Sequence, residues 1–153
     1  MKTFVVATDG SPTAKDALRY ALHLAAKVGA VVHAVRIAPE SEWAAFPGPA
    51  PPIRVPHSVD EADRHPLEEA AEIAREWHVP MRTELLTGNT VDEIVAYADS
   101  VDADLVILGS RGHGAITGTV LGSVSLGVLH EAMRPVLVVR GEKAHELSLA
   151  RSA

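Results

Sequence analysis

The chain has 153 residues, with 47% hydrophobic, 22% charged and 4% aromatic side chains, the composition of one ordinary globular domain. A chain of this length buries roughly 68–70% of its unfolded surface without help from disulfides; it has no cysteine, which excludes thiolate catalysis, iron–sulfur ligation and Cys-rich zinc sites and fits a reducing, cytoplasmic setting. Twenty Asp and Glu against fourteen Lys and Arg leave a net charge of -6, the wrong sign for binding a nucleic-acid backbone.

The start, MKTFVVATDGSP, holds an apolar run of only four residues, Phe4 to Ala7, too short for a signal-peptide core or a membrane span. The expectation is therefore a chain neither exported by that route nor embedded in a membrane. Phe4 to Thr8 predicts a first strand. From Ala14, apolar residues recur at Leu18, Ala21, Leu22, Ala25 and Val28, one helical stripe opened by Ser11 and Pro12 and closed by Gly29. Ala30 to Ile37 predicts the second strand.

Pro39 to Pro66 contains seven of the ten prolines, so the segment reads as a long surface excursion in which a regular element is not expected before the next helix. Trp43, Phe46 and Ile53 inside it suggest a segment that folds back, either as a lid or as an insertion packed on its own domain. Leu67, Ala70, Ala71, Ala74 and Trp77 form the next helical stripe, and Met81 to Leu86 the third strand. Thr90 and Glu93 have capping-box spacing before a helix whose inner face is Val91, Ile94, Val95 and Ala98. Leu105 to Leu108 predicts a central parallel strand. Val120, Leu121, Val124, Val128, Leu129 and Ala132 predict a last helix, and Val136 to Val139 a fifth strand. Residues 142–153 read as a polar tail after a single domain over 1–141.

Five strands alternating with four helices predict an α/β fold, a Rossmann-like open twisted parallel sheet with helices on both faces. Its ligand crevice lies beyond the carboxyl ends of the strands, which narrows the search for chemistry to the residues just after each one. After the fourth strand stands GSRGHGAITGTVLGSVSLG, with six of the eleven glycines in nineteen residues. Gly109 and Gly112 are followed, nine residues on, by Gly122 and Ser123. Such glycines let main-chain amides approach an anion, and the start of a helix at Gly122 and Ser123 favours phosphate. Nine extended residues span about 30 Å, enough to wrap a triphosphate. The sequence has no GxxxxGK[ST], no GxGxxG after the first strand and no GxSxG.

These motifs resemble the universal stress protein family, in particular its ATP-binding branch. Gly109, Gly112, Gly122 and Ser123 match that branch's G-x2-G-x9-G-[ST] pattern, and ATDGS (Ala7 to Ser11), DADLVILGSRG and RPVLVVR are similar to family segments, so the likeness runs from Met1 to Arg140. The Pro39 to Pro66 segment falls where the family varies. The resemblance implies bound ATP with Mg2+, with Asp9 near the nucleoside or its metal, Val35 lining the adenine, and Ala7, Thr8 and Leu108 among the binding residues. It implies that Gly109, Arg111 and Gly112 meet ribose and phosphates, and that Gly122, Ser123, Val124 and Ser125 close on the phosphate tail. It also implies a homodimer through Val136, Leu137, Val138 and Val139, since an uncovered apolar edge strand invites pairing.

Other roles remain open at this stage. Asp9 could cap a helix, the glycine segment could be a tight connection, and Ser123 could be a helix N-cap. His23, His33, His78 and His130 are scattered and show no metal-ligand spacing; His57 and His65 lie in the excursion, and His113 lies inside the glycine segment. Three function classes fit: a nucleotide-binding signalling module, a slow ATP hydrolase or phosphotransferase, and a nucleotide-free structural dimer. The absence of Asp and Glu from the glycine segment favours the first over the second.

Overall fold

Phe4, Val5 and Val6 are all buried, so the strand that carries them, β1 (Thr3–Ala7), needs apolar cover on both faces. A computed structural model, which describes residues 1–111 and 121–140, shows how the chain supplies it. After β1 come α1 (Pro12–Val28), β2 (Val31–Ala38), β3 (Ser41–Ala44), β4 (Ile53–Pro56), α2 (Glu61–Trp77) and β5 (Met81–Thr87). Then follow α3 (Thr90–Ser100), β6 (Leu105–Gly109), α4 (Ser123–Glu131) and β7 (Val136–Val139).

Five strands pair in parallel in the order β5-β2-β1-β6-β7, with Val6 opposite Ala34 on one side and Ile107 on the other. Side chains alternate between two layers. Phe4 and Val6 join Leu18, Leu22 and Leu67 under α1 and α2, while Val5 joins Val35, Ile94 and Val128 under α3 and α4. This is the expected Rossmann-like sheet with helices on both faces. The chain builds outward from β1 through β2 to β5, then crosses back to lay β6 on the other side of β1. That reversal opens a crevice between the carboxyl ends of β1 and β6.

Local signals account for α1. The Ser11 hydroxyl accepts the Ala14 N–H at 3.3 Å, Pro12 begins the helix, and Gly29 ends it at φ 70°. For α3 the cap differs from expectation: Asn89, not a Thr90–Glu93 box, accepts the Asp92 N–H at 3.1 Å. Asn caps as well as Thr, and β5 reaches Thr87, so the turn is complete one residue before Thr90.

The proline-rich segment is more ordered than its composition implies. β3 and β4 form an antiparallel hairpin, with Glu42 opposite Val55 and Trp43 opposite Arg54. Pro47, Pro49, Pro51 and Pro52 all fall between the strands, and Pro56 sits at the end of a two-stranded ribbon, where a missing N–H is tolerated. Likewise α2 starts at Glu61, with Pro66 inside it. A capping box opens the helix: Asp60 accepts the Asp63 N–H at 3.2 Å, and the Asp63 side chain accepts the Asp60 N–H at 3.1 Å. Among the described residues, no helix is long and apolar enough to cross a membrane.

Candidate functional site

The turn after β1 is organised by its own short side chains. The Asp9 carboxylate accepts the Ser11 N–H at 2.9 Å, the Thr8 hydroxyl accepts the Gly10 N–H at 3.3 Å, and the Thr8 N–H donates to the Val35 carbonyl at 2.9 Å. Asp9 thus braces the turn that Ser11 caps, and it also lines the crevice between β1 and β6.

Across the crevice, β6 leads into the glycine-rich segment. The Ser110 N–H donates to the Val139 carbonyl at 2.9 Å, and the Ser110 carbonyl accepts the Gly122 N–H at 2.6 Å. The Ser125 hydroxyl donates to the Gly109 carbonyl at 2.7 Å, and the Thr13 hydroxyl donates to the Arg111 carbonyl. The two ends of the glycine-rich segment therefore meet at its base. Gly122, at φ -74°, is the N-cap of α4, and no side chain caps that helix. Ser123 is accordingly its first helical residue rather than its cap. The first amides of α4 lack intrahelical acceptors and lie at the positive end of the helix dipole.

The crevice holds about 170 Å³ within its described walls. Eleven of the twelve residues singled out from sequence line it: Ala7, Thr8, Asp9, Val35, Leu108, Gly109, Arg111, Gly122, Ser123, Val124 and Ser125. Gly112, with His113, lies outside the described residues. Sequence reasoning missed Ala14, Arg36, Ile37, Thr90 and Ile94, which complete the lining. Ile37 was accessible to it, because it lies two residues beyond Val35 and shares its face of the strand.

The lining combines an apolar group, Val35, Ile37 and Ile94, with Gly109, Gly122, the start of α4 and Arg111. Arg36 is anchored by its Nη1, which donates to the Ile37 carbonyl at 2.7 Å, and by its Nη2, 3.4 Å from the Asp63 carboxylate. Among the described residues, no cluster of three or more His, Asp or Glu could hold a metal ion. His33 serves the core: its Nδ1 is 2.9 Å from the Tyr97 hydroxyl, and burial, aided by the charge of Arg82, lowers its pKa below the ordinary value.

The model of the universal stress protein family matches residues 1–140. Universal stress protein MJ0531 of Methanocaldococcus jannaschii is 32% identical over 142 residues, which are 93% of this chain and 84% of that protein. Against universal stress protein MT2052 of Mycobacterium tuberculosis, 33% identical, the chain spans about half (48%) of the relative's length. A solved universal stress protein from Archaeoglobus fulgidus superposes with a TM-score of 0.72 at 28% identity, covering 92% of this chain and 99% of that one. A universal stress protein solved in complex with cAMP superposes at 0.68 with 29% identity, covering 92% and 98%. An A. fulgidus protein in complex with dAMP does so at 0.65 with 26% identity, covering 92% and 98%. With its family pattern matched over 1–140 and its sheet order and helix layers shared with these structures, the chain belongs to the universal stress protein family.

Proposed function

We propose that the crevice binds an adenine nucleotide, ATP with Mg2+, and that the protein is a homodimeric binding module whose occupied state is passed to a partner. The observation that carries this reading is the Gly122 N–H to Ser110 carbonyl bond, which sets both halves of the glycine motif at the mouth of one crevice beside the uncapped start of α4. Phosphates belong there, with Arg111 as the neighbouring cation, and the nucleoside belongs against Val35, Ile37 and Ile94. The relatives crystallised with cAMP and dAMP support adenine as the base.

Magnesium would arrive on the triphosphate and keep water and phosphate oxygens as ligands, with Asp9 the one carboxylate of the described lining. No Asp or Glu stands in the glycine-rich segment 109–127 to activate a water beside the terminal phosphate, which favours binding over hydrolysis. The dimer uses β7, which forms one edge of the sheet.

Titration calorimetry with Mg·ATP and Mg·GTP tests the reading. Wild type binds ATP in preference to GTP, and the double variant Gly122→Val, Ser123→Ala loses at least about tenfold in affinity, the order expected from losing one charge-assisted contact. No heat of binding from wild type at millimolar ATP overturns it. ADP release above buffer background in a rigorously purified sample overturns the choice of binder over hydrolase.

A further inference from the structure

The β3–β4 hairpin has little apolar attachment to the rest of the molecule. None of its eight strand residues is buried, and Trp43 and Ile53 are 68% and 53% exposed. What ties it down is polar. The imidazole of His57, just past β4, has its Nδ1 3.0 Å from Glu42 of β3 and its Nε2 2.7 Å from Asp63 of α2. The Asp63 side chain is only 5% exposed and lies 3.4 Å from Arg36 of β2, which lines the nucleotide crevice. A chain of paired polar side chains, Glu42, His57, Asp63, Arg36, thus runs from the exposed hairpin to the crevice wall. The hairpin's root is also held by the His57 N–H, which donates to the Glu40 carbonyl at 2.9 Å.

We propose that the β3–β4 hairpin is a proton-controlled strap, fastened while the His57 imidazolium bridges Glu42 and Asp63 and loosened when that ring loses its proton. Both ring nitrogens face carboxylates, and only the cation can donate to both. The neutral ring has one N–H. It keeps that proton on Nε2, toward Asp63, whose carboxylate is buried and has the shorter contact. The lone pair of Nδ1 then faces the Glu42 carboxylate, which is half exposed and swings into solvent, taking β3 with it. Asp63 stays ionised throughout. Burial pushes its carboxyl up, but the hydrogen bonds from His57 and the Asp60 N–H, with the charges of His57 and Arg36, more than reverse this and leave it below the ordinary value. The bonds to Asp63 and then Glu42 raise the pKa of His57 above its ordinary value. The fastened state therefore persists above the pH at which an ordinary imidazole loses its proton and is lost as pH rises further.

The test uses nucleotide-free full-length protein, so it is independent of the nucleotide reading. NMR follows the His57 ring, assigned by its absence in His57→Gln, and the backbone heteronuclear NOE from pH 5.5 to 9. The ring titrates with a midpoint above the ordinary value of about 6.5. Amides of residues 41–44 and 53–57 lose NOE intensity with that same midpoint, while β1 and β6 stay rigid. Glu42→Gln, at a half-exposed side chain that leaves the core untouched, moves the midpoint down; His57→Gln leaves the hairpin's order independent of pH. Hairpin amides that keep their NOE through the His57 midpoint, or that loosen equally in His57→Gln, overturn the proposal.

Discussion

Gly109 packs directly against Thr13: a Cβ built on Gly109 would lie 2.7 Å from the Thr13 carbonyl oxygen, inside any permitted contact. The first glycine of the motif therefore has a structural duty, letting the end of β6 approach the first turn of α1, separate from any approach by a ligand. Gly109→Ala must push backbone from backbone. The expected cost is about 1–3 kcal/mol, as for other overpacked sites. Urea unfolding of the nucleotide-free protein measures it, and a variant as stable as wild type refutes the close approach.

Ser125 gives a second, milder prediction. Its hydroxyl is buried and donates to the Gly109 carbonyl, pinning the first turn of α4 to β6. Ser125→Ala removes that bond at a cost of about 0.5–1.5 kcal/mol, while Ser125→Thr retains a donor. Denaturant midpoints for the two variants distinguish a lost hydrogen bond, where only Ala falls, from a packing effect, where both do.

His33 contributes to the acid side of the pH profile. Its folded pKa is lowered, by burial first and then by Arg82, so the folded protein binds fewer protons at this ring than the unfolded chain. The stability tied to it is complete above the unfolded value of about 6.5 and falls as pH drops through the lowered folded value. His33→Gln, neutral at every pH, is expected to flatten the loss of stability between pH 6.5 and 5 seen for wild type in urea titrations. His57, with its raised pKa, carries the opposite sign and acts above 6.5. Identical slopes for wild type and His33→Gln would falsify this assignment.

The edge strand offers a test of assembly. Val136, Leu137 and Val138 are only half-buried in the isolated chain, and among the described residues β7 has a pairing partner on one side alone. Val138→Lys places a charge on that edge, a device that natural sheets use to prevent pairing. Light scattering is expected to report a dimer for wild type and a monomer for the variant, with unchanged far-UV circular dichroism. A wild-type monomer at micromolar concentration contradicts the proposed dimer.

The sheet and its helices were legible because their signals are local. Ser11, Pro12 and Gly29 mark both ends of α1, and the apolar runs Phe4 to Val6 and Val106 to Leu108 are buried on both faces. The hairpin was not legible, because a proline count says nothing of where each proline falls: four occupy the turn, leaving Ser41–Ala44 and Ile53–Pro56 free to pair. Pro66 hid the true start of α2 in the same way. In the crevice, residues of the motif were visible as spacing. Arg36, Thr90 and Ile94 were not, since their places depend on β2 and α3 packing beside β1, a matter of strand order rather than of any local pattern.

The crevice draws its walls from the turn at residues 7–9, the end of β2, the start of α3, the end of β6 and the first turn of α4. A nascent chain that has left the ribosome as far as α3 has three of the five parallel strands in hand and lacks the crevice walls that β6 and α4 supply. Under the proposed binding, a ligand in the crevice would stabilise the assembled sheet as a whole rather than any fragment that ends before α4.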